Sequence, residues 1–170
     1  DLNNVSGSYQ EVVEKNIINE EEIKLGKIKF DDKILHKSRL LRYFQDEITP
    51  KKAQKDFAKI YKKIKKNRKY FFSAKDIALI ESLAKDGIEI PKEFNYQEIS
   101  NQYSVPPNLL KLAESKESAF LTLKLVEIIG EDEAYNLDPE TIYFITHLLN
   151  QNNLKKIRNE ILISALPQRS

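Results

Sequence analysis

Apolar residues recur along most of this chain at spacings of three and four, the period that places side chains on one face of an α-helix. The clearest run opens at Thr49-Pro50, an N-cap followed by a first-turn proline. It carries Ala53, Phe57, Ile60, Tyr61 and Ile64 as one stripe. Upstream, Asp31 or Asp32 can cap a helix running to about Gln45 that buries Ile34, Leu35, Leu41 and Phe44. Downstream, Ser73 and Asp76 have the spacing of a capping box. Ile77, Ile80, Leu83 and Ala84 follow on one face, and Gly87 stands where a C-terminal glycine cap belongs. The pattern weakens between Ile88 and Tyr103, where Pro91 breaks any helix and residues 96–102 suit only a short one.

Val105-Pro106-Pro107 then opens a helix bearing Leu109, Leu110, Leu112 and Ala113. The next starts from Ser115, with Glu114 and Glu117 beside it, and runs through Phe120, Leu121, Leu123, Leu125, Val126, Ile128 and Ile129 to Gly130. It is apolar on most sides, which predicts the central buried helix of the domain. Asp138-Pro139-Glu140 combines a cap, a first-turn proline and an acid near the positive end of a helix whose stripe is Ile142, Ile145, Leu148 and Leu149. Gln151-Asn152-Asn153 makes a turn, and a helix returns through Leu154, Ile157, Ile161, Leu162 and Ala165 to Pro167. So short a connection forces two antiparallel neighbours.

The predicted fold class is mainly α, an array of antiparallel helix pairs that is either α-solenoid-like or an irregular bundle. First-turn prolines at Pro50, Pro107 and Pro139 suit a repeat architecture. The tetratricopeptide pattern fails for want of Trp and of a Leu-Gly pair, and the ankyrin signature departs after Thr49-Pro50. Leu137 to Leu166 reads as a closing helix pair and is generically similar to helical-repeat proteins of bacteria. That resemblance covers about the last fifty residues and rests on no diagnostic motif. Residues 1–30 read as a weakly ordered N-terminal arm, and residues 31–170 as the helical domain. Within the arm, residues 23–30 suit a small β-hairpin turning at Gly26-Lys27, with a helix running in from Glu20 as the rival reading.

Composition changes this picture in three ways. At 170 residues the chain can bury a core without staples. It has no Cys, which excludes disulfides, thiolate metal sites and a cysteine nucleophile. It also has no Met, even at the first position, so an upstream segment is expected: a removed signal peptide or the rest of a larger protein. Exported and cytoplasmic locations both fit. No apolar run is long enough to span a bilayer. Net charge is only +2, yet it is unevenly placed. Residues 51–69 hold ten Lys or Arg against one Asp, and residues 114–140 hold eight acids against two Lys. A bipolar molecule points toward partners.

Candidate chemistry is sparse. His36 and His147 are the only histidines and have no metal-ligand spacing, and four scattered glycines build no phosphate loop. Glu20-Glu21-Glu22 and Glu131-Asp132-Glu133 lack the alternation of a calcium loop. No catalytic residue, metal ligand or cofactor is therefore expected. The favoured function is a non-enzymatic helical scaffold that binds another protein. A second expectation is polyanion binding, to nucleic acid or an anionic membrane surface, through Lys55, Lys59, Lys62, Lys63, Lys66, Arg68 and Lys69. A third is a helical accessory domain of an enzyme whose catalytic part lies upstream.

Overall fold

The computed structural model describes Leu35, residues 38–130 and residues 134–166, all within the unit Asp32–Ser170. The arm over residues 1–30, the hairpin over 23–30, the caps at Asp31 and Asp32, His36 and the acids at 131–133 lie outside the described residues.

The described chain is mainly helical, as its periodicity requires. Its α-helices are α1 (Leu41–Phe44), α2 (Pro50–Lys66), α3 (Ala74–Lys85), α4 (Tyr96–Ser100), α5 (Pro107–Glu114), α6 (Ser118–Ile129), α7 (Pro139–Gln151) and α8 (Lys155–Ala165). A 3-10 turn, Ala134–Asn136, precedes α7.

Local signals set most of the helix ends. The Thr49 side chain accepts from the Lys52 N–H, and Pro50 takes the first helical position of α2. At α3 both halves of the capping box form: Ser73 accepts from Asp76 N–H, and the Asp76 carboxylate accepts from Ser73 N–H. Gly87 follows α3 at φ +85°, a conformation that costs a residue with a Cβ. Asp138 caps α7 by accepting from the N–H groups of Glu140 and Thr141.

Two boundaries differ from expectation. The helix expected to run unbroken to Gln45 is interrupted at Ser38–Leu40 by a bend and turn. There the Ser38 hydroxyl accepts from Leu40 N–H at 3.2 Å, a local bond that competes with the helical ladder. Ser115 ends α5 rather than starting α6, and its hydroxyl donates to Leu112 C=O at 3.0 Å. Lys116 follows at φ 58° and breaks the two helices apart.

The core also departs from expectation. The centre is α3, which packs most extensively against α7, while α7 packs in turn against α8. In α3, Ile77, Ala78, Leu79, Ile80, Ser82 and Leu83 are all buried. Small residues at positions 78 and 82 let neighbours approach closely, and the Ser82 hydroxyl donates to Ala78 C=O at 2.7 Å, so its polar atom is satisfied inside the core. The helix expected at the centre, α6, is instead peripheral. Only Leu121 and Leu125 of α6 are buried, against Leu109, Ala113, Ile145, Leu148 and Leu149.

A buried polar cluster pins α8 to α3. Arg158, 1% exposed, donates through two nitrogens to Asp86 at 3.1 and 2.8 Å, and also to Asn150 Oδ1 and Asn159 Oδ1. Its guanidinium lies over the Phe44 ring. Lys155 Nζ sits 3.1 Å from Asp86, and the Tyr43 hydroxyl donates to the same carboxylate at 3.1 Å. Asp86 ends α3, so these cations also complement the negative end of that helix. The stripe expected on α8 is correspondingly rotated: Arg158, Asn159, Leu162 and Ala165 are buried, and Leu154, Ile157 and Ile161 are half-buried.

Candidate interaction surfaces

Two surfaces stand out, one charged and one apolar. The charged one is the outer side of α2. Lys55, Lys59, Lys62, Lys63, Lys66, Arg68 and Lys69 are all exposed. A helix turns about 100° per residue. That rotation sets Lys55, Lys59, Lys62 and Lys66 in one row, directly opposite the buried Ala53, Phe57 and Ile64. Lys51, Lys52 and Lys63, also exposed, flank the row. No ion pair joins any of these cations to an acid among the described residues. Lys51, Lys55, Lys59 and Lys63 follow one another at intervals of one turn, a like-charge spacing that disfavours an isolated helix. The aromatics that follow divide. Tyr70 and Phe72 join the core through a ring chain to Phe94, with centroids 5.0 and 4.5 Å apart, while Phe71 is exposed.

The apolar surface is the outer side of α6. Phe120, Leu123 and Val126 are 47%, 66% and 58% exposed. Helical rotation places them, with exposed Ala119, on the side opposite Leu121 and Leu125, so each face of α6 carries its own apolar stripe. Ile128, seven residues after Leu121, continues the inner stripe at the end of the helix and is less exposed. Lys124 and Glu127 pair with each other at 2.7 Å along the same helix, which leaves this side without net charge. All-round apolarity suggested burial from sequence. The signal against it was the Lys124–Glu127 spacing, which marks a solvent-facing side.

His147, the histidine among the described residues, is engaged structurally. His147 Nδ1 lies 2.7 Å from Glu81 Oε1, its Nε2 lies 3.0 Å from the Gln151 amide, and its ring packs against Tyr143. Both imidazole nitrogens are thereby occupied. Burial pushes the Asp86 carboxyl up, but the hydrogen bonds and charge of Arg158, followed by those of Lys155, outweigh it and hold the group below the ordinary aspartate value. Among the described residues, no group of three His, Asp or Glu side chains lies close enough to share a metal ion. No helix among them is long and apolar enough to cross a membrane. No family model, no curated protein and no solved structure matches this chain.

Proposed function

We propose that this chain is a helical protein-interaction domain, acting by binding rather than by catalysis, whose partner packs a helix onto the outer face of α6. The observation that supports this most is the row Phe120, Leu123 and Val126, exposed on the side of α6 that faces away from the core. Single exposed apolar residues are ordinary, whereas a contiguous row on one element marks an interaction surface. The spacing of Ala119, Leu123 and Val126, four and then three residues, is the i, i+4, i+7 stripe through which two helices pack face to face. Withdrawing the three larger side chains from water contributes on the order of 1 kcal/mol each, because each is only about half to two thirds exposed at the start.

Photo-crosslinking tests this directly. A photoreactive residue at position 123 of the full-length protein, in its native cells, should yield one dominant protein adduct. The same residue placed at Lys85, which is exposed on another helix, should not. Equal, diffuse labelling from both positions would refute the reading.

A further inference from the structure

The geometry points to the outer face of α2 as a sequence-independent docking surface for the phosphate backbone of duplex DNA, a second binding activity beyond the one assigned to α6.

The placement of charge comes first. Seven of the eight exposed lysines from Lys51 to Lys66 occupy the side of α2 opposite its buried stripe, with Lys65 standing off to one side. They extend about 22 Å along the axis, at roughly 1.5 Å per residue. Angularly they fan over about 120°, because Lys51 and Lys63 lie on either side of the central row. The one acid of the helix, Asp56, stands at the edge of this fan and is only half exposed. A face meant only for solvation is served equally by both signs of charge. This one carries a single sign, repels itself along the helix, and has no counter-ion among the described acids. A polyanion relieves that repulsion.

The neighbouring groups select among polyanions. A membrane surface would draw on the apolar side of a basic helix, but here Ala53, Phe57 and Ile64 are turned into the core. Single strands need aromatic platforms for successive bases; Tyr70 and Phe72 are packed in the ring chain that runs through Phe94, which leaves Phe71 as one exposed ring where several are needed. Discriminating among base edges draws on a mixture of Arg, Lys, Asn, Gln and acidic side chains, whereas of these the outer face of α2 offers lysine alone. Within α2 the one Gln, Gln54, is tied in both directions to the Glu89 backbone at 3.0 and 2.7 Å, and the exposed Arg68 lies beyond the end of the helix. What remains is contact with backbone phosphates. A helix about 10–12 Å across, with lysines fanned to both sides, matches a B-form major groove about 12 Å wide and bordered by two phosphate rows.

The test is fluorescence anisotropy of the full chain with a mixed-sequence DNA duplex of about two helical turns, beside phosphatidylserine vesicles. Neutralising about five phosphates predicts a log–log salt slope near −4.5, or a loss of several hundred-fold between roughly 50 and 200 mM salt. The K55Q/K59Q/K62Q/K66Q variant should flatten that slope by about 3.6 and keep its melting temperature, since all four residues are exposed. K111Q/K116Q, which removes exposed lysines elsewhere, should bind as the wild type does. Four outcomes would overturn the inference: no duplex binding at low salt, a slope unmoved by the four substitutions, an equal loss in K111Q/K116Q, or tighter binding to the vesicles than to the duplex.

Discussion

Replacing Arg158 with Met should be among the most damaging single substitutions in the domain, although the residue carries a formal charge. Met fills much of the same volume with an unbranched apolar side chain and removes the guanidinium, with its place over the Phe44 ring. The loss takes away both Arg158 bonds to Asp86 and leaves the side-chain oxygens of Asn150 and Asn159 without that donor. Removing one partner of a buried pair costs about 3–5 kcal/mol. Asp86 would keep Lys155 and the Tyr43 hydroxyl, so the lower end applies, about 3 kcal/mol. Asp86→Leu should cost more, about 5 kcal/mol, because Arg158 is 1% exposed and would be left without a counter-charge. The double variant R158M/D86L should cost much less than the sum, since two apolar groups replace a pair whose desolvation was already expensive. Urea unfolding at neutral pH measures all three.

Acid should act on the same pair. The folded-state pKa of Asp86 lies below its unfolded value of about 3.9, so its contribution is complete above that value and disappears as pH falls through the folded one. Wild-type stability should fall below about pH 4, and R158M should show a shallower acid limb. An R158M variant within about 1 kcal/mol of wild type would refute the assignment of Arg158 as the pin between α3 and α8.

Other perturbations read other parts of the structure. Leu125→Ala should cost about 2–5 kcal/mol and Leu123→Ala less than about 0.5, because the first is buried and the second exposed on the same helix. Equal melting shifts would show that α6 is oriented differently. Gly87→Ala should destabilise by about 1–2 kcal/mol through its φ of +85°, with no steric contribution, since nothing lies within 4 Å of the added carbon. A neutral result in thermal melts would contradict the glycine cap. Ser73→Ala should cost about 1 kcal/mol through the capping box, read by chemical denaturation, and Ser73→Thr should restore most of it.

The helix ends were the most legible part of the sequence because they depend on residues within a few positions of one another. Thr49-Pro50, Ser73-Asp76, Gly87 and Asp138-Pro139 each act where they were expected. Burial was legible where a stripe was narrow, as at Ile142, Ile145, Leu148 and Leu149, all fully buried. It failed where apolarity ran all round. Composition cannot say which side of α6 faces the core, because that depends on α5 and α7. Arg158 was missed for the opposite reason. It occupies the buried row Arg158, Leu162, Ala165 at helical spacing, but a charged residue in such a row reads as an interruption until Asp86 is brought beside it from a helix more than seventy residues earlier. Of the two surfaces, the lysine row was visible from sequence because lysine is almost never buried. The α6 face required the fold.

The double variant L123E/V126E tests the role of that face most directly. Both residues are more than half exposed, so the purified variant should melt within about 1–2 °C of the wild type. It should nonetheless lose the partner that crosslinks to position 123. A large fall in melting temperature, or a partner retained at wild-type affinity, would contradict the assignment of the α6 outer face as the docking surface.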